Sequence, residues 1–416
     1  MSAPAATPTR HIYLAVTVAA LGYFVDVFDL ILVNVVRGPS ISDMGVPKVE
    51  LLDKGELVVN MQMLGMLIGG LAWGALGDKR GRLSVLFGSI ILYSIANIVN
   101  AHVSDLTQYA AVRFVAGFGL AGELGAGVTL VNEIMSKEGR GWGPTIIAAI
   151  GILGGVFATL LGGALPGVWS GVDWRTAYTI GGVMGLALLI LRIGVHESGL
   201  FKQVASKAVS RGNFLRVFAT GARAKRYISI VLVGLPIWYI IGILSAAAPE
   251  IGQGAGMTLA DRPRALMFCY IFLGVGDLLA GGVSQWLRSR RMALGIFVAA
   301  TAVTTVAYFT IARSSREAYF VAISAVSLAG GYWAIFVITA SEQFGTNLRA
   351  TTTTTAPNFV RGGLVLMNAL FHAFRDATDS VVTGAWLVGV IVIGLAIIGL
   401  FGIEETFGKD LDFLEE

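Results

Sequence analysis

Two carboxylates stand in the middle of a long apolar stretch near the start of the chain. Asp26 and Asp29 lie in the segment GYFVDVFDL (22–30), inside an apolar run from about Ile12 to Val36. Because they are three residues apart, both side chains project from one face of a helix. An ionised carboxylate within a bilayer is costly unless it is paired or hydrated, and desolvation and a like-charged neighbour both favour the protonated form. The pair predicts a proton or cation site; the alternative is a buried ion pair that fastens this helix to a neighbour.

Arg113 and Glu123 are charged residues in a second apolar segment, ten positions apart. An arginine does not lose its proton in practice, so one buried in a membrane must contact a carboxylate, carbonyl groups or an anion. A static link from Arg113 to Asp26, Asp29 or Glu123 is one way to satisfy it.

Arg361 is a third buried charge, in the segment APNFVRGG (356–363). Proline removes a helix hydrogen bond, and threonine can bond back to the preceding turn, so Pro357 and the run Thr351–Thr355 should weaken and bend this helix. Arginine binds carboxylates and phosphates through two parallel hydrogen bonds. We therefore expect Arg361, with Asn358, to bind an anionic substrate; the alternatives are that Arg361 reaches the membrane surface or pairs with Asp277.

The composition indicates the elements that must position these charges. Of 416 residues 55% are hydrophobic and only 13% are charged, against about 25% charged in soluble domains. Apolar runs of roughly 20 residues recur along the chain, which is the length that crosses a bilayer. The sequence predicts an all-α membrane protein with twelve transmembrane helices, at about 11–36, 55–77, 83–103, 107–135, 143–167, 175–195, 226–248, 264–287, 292–312, 318–341, 349–374 and 382–402.

A polar, basic segment divides these helices six and six. It covers residues 196–225 and separates an N-terminal bundle, 1–195, from a C-terminal bundle, 226–416, which ends in an acidic tail. Lys and Arg are more frequent on the side that holds the N-terminus, so both termini, the linker and the tail are predicted to be cytoplasmic.

The two halves look like copies of each other. Glu133 and Arg140 end one predicted helix, and Glu342 and Arg349 end another, 209 residues later. LAGE (120–123) matches LAGG (328–331) at nearly the same offset. Two related six-helix halves are a common architecture of secondary transporters.

Two of these segments resemble motifs of the major facilitator superfamily. GALGDKRGR (74–82), between predicted helices two and three, matches the loop motif of the family, with its Gly, Asp and spaced basic residues. RFVAGFG (113–119), followed by Glu133 and Arg140, matches its Arg-Gly-Gly motif in helix four. The chain is thus identified as a member of that superfamily, which implies the major facilitator fold of two pseudo-symmetric six-helix bundles.

Other segments resemble the metabolite:proton symporters of the superfamily. They are FGTNLRATTTTTAPNFVRGG (344–363) and the tail IEETFGKDLDFLEE (403–416), and DVFD (26–29) is similar to the acidic helix-one motif of organic-acid and sialate-type symporters. The second half departs from the loop motif, because Trp286 stands where the first half has Asp78.

The resemblance assigns roles to named residues. It implies a proton-coupling group of Asp26, Asp29, Arg113 and Glu123. It also places helices one, seven and ten around a cavity, where aromatic side chains with polar tips can line a substrate site. The candidates are Tyr23, Trp238, Tyr239, Tyr332 and Trp333. The alternative for each of them is packing or anchoring at the membrane interface.

A third group lies at the predicted cytoplasmic ends of helices and could form an ionic latch between the bundles. The alternative is that these charges only set the orientation of the chain in the membrane. The group consists of Gly74, Asp78, Arg82, Glu133, Arg140, Glu342 and Arg349.

The function predicted from these features is a proton-coupled symporter of a small organic anion or related metabolite, in a bacterial inner membrane. It should act as a monomer by rocking of the two bundles, driven by the proton gradient, without a cofactor or nucleic acid. His372 and Cys269 stand alone, so no metal site is predicted, and no nucleotide-binding loop or nucleophile motif marks an enzyme. An exporter of a siderophore, lipid or drug-like amphiphile, or a metal-ion carrier, is the alternative.

Overall fold

The computed structural model describes residues 9–135, 142–165, 167–193, 213–410 and 413–415, and these ranges are mostly helical. The helices, numbered in chain order, are α1 Thr9–Asp43, α2 Leu51–Arg80, α3 Arg82–Asn100, α4 Leu106–Leu120, α5 Glu123–Ile134, α6 Trp142–Leu161, α7 Trp174–Leu191, α8 Gly221–Tyr239, α9 Ala248–Ile251, α10 Arg262–Leu287, α11 Arg290–Ile311, α12 Arg316–Gly330, α13 Trp333–Glu342, α14 Arg349–Thr378 and α15 Val381–Leu400.

Twelve crossings result over the described ranges, because α4 with α5, and α12 with α13, each form one interrupted crossing. Ten spans are long and apolar enough to cross a bilayer. The other two crossings are α6, whose described apolar stretch Ile146–Leu161 is shorter, and α14. The first ten residues of α14, 349–358, are all buried, so its threonines contact protein rather than lipid.

Two of the predicted segments, 107–135 and 318–341, each form one span that is interrupted once. The first breaks at Ala121 and Gly122, and the second at Gly331 and Tyr332. The two interruptions occupy equivalent places in the two halves, in the matching LAGE and LAGG segments.

The expected weakening of the helix at Pro357 does not interrupt it. Pro357 lies inside α14, which runs without a break for 30 residues. Side chains add bonds to its backbone on both sides of the proline, since Thr355 donates to the carbonyl of Thr351 and Asn358 to that of Thr354.

The predicted linker is described only in part. Its residues 196–212 lie outside the described ranges, and α8 begins at Gly221, five residues earlier than predicted, after a 3₁₀ turn at Phe214–Phe218. Thr220 caps α8 by accepting a hydrogen bond from the backbone N–H of Arg223.

Glycines let helices within the first bundle touch through their backbones. A Cβ on Gly65 of α2 would lie 2.1 Å from the carbonyl oxygen of Phe114 on α4, and one on Gly117 would lie 2.1 Å from that of Gln62. A larger residue does not fit at either position. Small residues in membrane helices have this role, since they let two backbones approach closely.

The two bundles meet along two helix pairs. On one side α2 packs against α14, and on the other α6 packs against α10. Gly155 of α6 faces the ring of Tyr270, at 2.5 Å from an added Cβ, and Gly274 of α10 faces Ile152. These seams enclose the region where α1, α8, α10 and α13 approach one another.

Candidate functional site

A small cavity lies between the bundles at the centre of the molecule. Its volume is about 30 Å³, which holds roughly two water molecules. A metabolite of several heavy atoms therefore requires the surrounding helices or side chains to move. The lining residues are Tyr23, Val27 and Leu30 of α1, Ile152 of α6, Ile237 and Trp238 of α8, Ile241 of the π-helical turn Ile240–Ser245 that follows α8, Tyr270, Leu273 and Asp277 of α10, Trp333 of α13 and Arg361 of α14.

Asp26 and Arg361 form an ion pair between the two bundles. Nη2 of Arg361 donates to Oδ2 of Asp26 at 3.5 Å, and both side chains are buried. Arg361 also donates to Oδ1 of Asn358 at 3.4 Å, and its guanidinium lies 5.5 Å from the ring centre of Trp333. Oδ1 of Asp26 has no hydrogen-bond partner among the described residues, so the pair is long and incompletely satisfied.

Asp29 is held differently, by Arg113 of its own bundle. Nη1 of Arg113 donates to Oδ1 of Asp29 at 3.1 Å, and Nη2 donates to Oδ1 of Asn97 at 2.8 Å. The guanidinium also lies over the ring of Tyr178, 4.8 Å from its centre. A movement of one bundle against the other leaves this pair intact, whereas it must change the Asp26–Arg361 pair.

Glu123 does not pair with Arg113, although the sequence allowed that link. It accepts two hydrogen bonds from Arg192 at the end of α7, at 3.0 and 2.5 Å, and one from Ser89 at 2.9 Å. Arg192 is only 1% exposed. Sequence reasoning missed Arg192, because a single arginine at the end of an apolar run resembles a charge that sets topology.

Glu123→Gln should lower the stability of the protein. The change leaves the charge of Arg192 buried without its carboxylate, which typically costs about 3–5 kcal/mol. We expect an earlier unfolding transition in a detergent thermal-unfolding experiment. The double variant Glu123→Gln/Arg192→Gln, which removes both charges, should recover most of the loss, and an unchanged transition in the single variant would contradict the assignment.

The predicted pocket aromatics divide into two groups. Tyr23, Trp238 and Trp333 line the cavity. Tyr239 and Tyr332 do not: their hydroxyls donate to the carbonyl oxygens of Ala385 and Val233, each at 2.9 Å, within the second bundle. Tyr270 lines the cavity instead, and nothing in the apolar sequence around it distinguished it from a packing residue.

Asp277 lines the same cavity but does not pair with Arg361. Its Oδ1 accepts a hydrogen bond from the backbone N–H of Ala334, at the start of α13, at 3.0 Å. The alternative pairing offered by the sequence is therefore wrong, because Arg361 is engaged by Asp26 across the interface.

Asp78 joins the bundles at the end that carries the chain termini. Its carboxylate accepts hydrogen bonds from the backbone N–H groups of Ala350 and Thr351, at 3.2 and 2.8 Å, and from Oγ1 of Thr351 at 2.6 Å. It thus caps the first turn of α14 from the other bundle. Arg82 lies 3.7 Å from Asp78. A Cβ on Gly74 would lie 3.1 Å from the backbone of Thr351, so a small residue permits this approach.

The remaining latch candidates are placed differently. Glu342 pairs with Arg290 at 3.3 Å and accepts from Thr406 at 2.8 Å, so these contacts lie within the second bundle rather than across the interface. Arg349 is buried at the start of α14. The side chain of Glu133 and the whole of Arg140 lie outside the described residues.

The opposite end of the interface is closed by a polar ladder between α2 and α14. It consists of Asp53 with Arg375 at 3.7 Å, Glu56 with His372 at 2.5 Å, and Asn60 with Asn368 at 2.9 Å. No partner of His372 could be predicted, because partners on another helix cannot be found from spacing. The pairing of α2 with α14 is thus held by polar contacts at both ends.

Asp78→Ala should favour conformations that open at the Asp78 end. Loss of a helix cap costs about 0.5–2 kcal/mol, which shifts a two-state equilibrium by roughly 2- to 30-fold. Spin labels on cysteines introduced at the exposed positions Lys79 and Arg288 report the distance between the bundles, and the population with the longer distance should increase. The native Cys269 is buried, so it should not take up the label. The matched control is Asp105→Ala, which removes the cap of α4 inside one bundle, and an equal shift in both variants would contradict a latch.

Comparisons with known proteins agree with this architecture. The chain is 24% identical over 404 residues to the putative niacin/nicotinamide transporter NiaP of Bacillus subtilis, covering 95% of this chain and 96% of that protein. It is 26% identical over 368 residues to the 3-(3-hydroxy-phenyl)propionate transporter of Escherichia coli, covering 85% and 86%.

The fold also matches a solved structure, that of the proton:xylose symporter XylE bound to 6-bromo-6-deoxy-D-glucose. The TM-score is 0.76 at 15% identity, with 98% of each chain covered. The family model of the Major Facilitator Superfamily matches residues 19–367. This chain therefore belongs to the Major Facilitator Superfamily and is a multi-pass membrane transporter, not an enzyme.

Proposed function

We propose that this transporter is a proton-coupled symporter of a small organic anion. The observation that carries the proposal is the Asp26–Arg361 pair, which joins the two bundles at the wall of the central cavity. A carboxylate can take up a proton there, whereas the guanidinium keeps its charge.

The pair links proton binding to anion binding through charge. When Asp26 takes a proton, Arg361 becomes a buried cation without a compensating carboxylate. A substrate carboxylate can take that place, since arginine binds carboxylates through two parallel hydrogen bonds. When the substrate leaves, the cation again favours the ionised form of Asp26, and the proton is released. Each ligand thus increases the affinity for the other, as symport requires.

The cavity wall favours an aromatic monocarboxylate. Trp238 and Trp333 both lie near the guanidinium of Arg361, at 5.9 and 5.5 Å from their ring centres, and Tyr23 and Tyr270 complete an aromatic lining. A flat ring with one carboxylate would place its charge on Arg361 and its faces against these rings. One relative is named for niacin and nicotinamide and the other for 3-(3-hydroxy-phenyl)propionate. Niacin and the propionate are aromatic monocarboxylates, whereas nicotinamide is neutral.

The cycle we propose is alternating access by rocking of the bundles in a bacterial inner membrane. Both termini and the Asp78 end face the cytoplasm, in agreement with the Lys and Arg bias. The membrane potential contributes about 2.3 kcal/mol per charge per 100 mV, so a proton gradient can drive import without a cofactor. The working unit is a single chain in the bilayer.

A thermal-shift screen of the purified protein tests the substrate class. Nicotinate and 3-(3-hydroxyphenyl)propionate should stabilise the protein, more strongly at acidic than at neutral pH. Nicotinamide is the matched control, because it has the ring of nicotinate without the carboxylate, and it should have little effect. Equal stabilisation by nicotinamide, or stabilisation only by neutral sugars or amphiphiles, would contradict the proposal.

A further inference from the structure

Asp277 is the one carboxylate of the described cavity wall without a basic partner. Three buried acids of the first bundle each have an arginine, since Asp26 has Arg361, Asp29 has Arg113 and Glu123 has Arg192. No basic nitrogen of the described residues lies within 4.0 Å of Asp277, which is fully buried. An ionised Asp277 would therefore leave the interior with an uncompensated negative charge.

Close backbone contact places this carboxyl at the interruption between α12 and α13. A Cβ on Gly331 would lie 2.5 Å from Cα of Gly276, the residue before Asp277. This approach lets Oδ1 of Asp277 accept the N–H of Ala334. A helix start offers about half a positive charge, which offsets only part of a carboxylate charge. Oδ2 has no partner among the described residues, so it is available to carry a proton while Oδ1 keeps its bond.

The other titratable groups at the cavity do not supply the missing charge. Tyr23 on α1 and Tyr270 on α10 are neutral hydroxyl groups, and Arg361 on α14 is engaged by Asp26 on α1. The contacts of Asp277 from α13 are backbone N–H groups. An ionised Asp277 would also repel an anion entering a cavity of about 30 Å³, whereas a protonated Oδ2 can donate a hydrogen bond to it.

We propose that Asp277 is a second proton carrier of the transport cycle, protonated in this conformation, and that an anionic substrate binds only while the proton is present. The step is simple protonation: Oδ2 gains a proton from water on the open side and returns it to water after the substrate leaves. The inference rests on the proposed function and adds a site in the second bundle to the one at Asp26.

Infrared spectroscopy tests this assignment without a substrate. A protonated carboxyl has a C=O stretching band distinct from that of a carboxylate. In the protein reconstituted in lipid, a band of this type should be present at neutral pH, absent in Asp277→Asn, shifted in Asp277→Glu and retained in Asp26→Asn. Asparagine keeps an oxygen that can accept the N–H of Ala334, so the variant should fold. An Asp277→Asn spectrum identical to that of the wild type would overturn the proposal.

A second measurement separates this proposal from the proposed function. Binding of an anion that needs one proton weakens by about tenfold per pH unit above the titration of its site. The anion to use is nicotinate, if thermal shift identifies it as a ligand. The pH dependence of its Kd should correspond to one proton fewer in Asp277→Asn than in the wild type. If the wild type shows proton-driven uptake but Asp277→Asn keeps the full dependence, this inference fails alone. If the wild type shows no proton-driven uptake, the symport proposal fails, whatever the infrared result.

Discussion

Asp26→Asn should reduce the acceleration of uptake by an inward proton gradient, because one of two transported protons is lost, while leaving substrate exchange intact. Asparagine cannot take up a proton, yet it can still donate and accept hydrogen bonds beside Arg361. The guanidinium is then permanently free of its carboxylate partner, as it is in the wild type when Asp26 is protonated. Substrate can still bind and cross, but its movement no longer carries the proton of Asp26.

Proteoliposome flux measures this separation directly. Uptake of the anion should rise with the pH gradient less steeply in Asp26→Asn than in the wild type, while exchange of internal for external anion continues in both. Asp43→Asn is the matched control, because Asp43 lies at the exposed end of the same helix, where it pairs with Arg175. A gradient response in Asp26→Asn as steep as that of the wild type would exclude Asp26 as a coupling residue.

Arg361→Gln should remove most of the affinity for the anion. Truncating one member of a buried charged pair costs about 2–5 kcal/mol, which corresponds to a Kd weakened by roughly 30-fold or more. Arg361→Lys keeps the charge but not the planar pair of donors, so its affinity should fall between those of the wild type and Arg361→Gln.

A double variant distinguishes lost binding from lost stability. Arg361→Gln alone leaves Asp26 without its partner, whereas Asp26→Asn/Arg361→Gln removes both charges and should restore thermal stability. Affinity should stay low in the double variant, because the group that binds the substrate carboxylate is still missing. Recovery of affinity together with stability would mean that Arg361 only holds the bundles together.

The sequence was sufficient to predict that the charges are buried, but not which charges meet. Asp26 and Arg361 are polar residues in apolar runs, and the cost of such residues in a bilayer marks them without any structure. Their contact joins positions 335 residues apart, and it depends on how two bundles pack. The same limit explains why Glu123 stayed one of three possible partners of Arg113, and why Arg192 was missed.

Polar residues on helices buried in protein were harder to interpret. α14 carries five consecutive threonines and three arginines, and its sequence alone is a weak membrane signal. It crosses the molecule because its polar face contacts α2 and α5 rather than lipid. His372 looked isolated for the same reason, since Glu56 lies 316 positions away on the facing helix. The interruptions of α4–α5 and α12–α13 were missed because glycine-rich membrane helices are often continuous.

The most direct test of the account is whether the transported anion brings protons with it. Wild-type proteoliposomes with no pH gradient, containing a pH-sensitive dye, should acidify inside when the anion identified by thermal shift is added outside, and nicotinamide should cause no change. Entry of the labelled anion without internal acidification would contradict proton-coupled symport at this cavity.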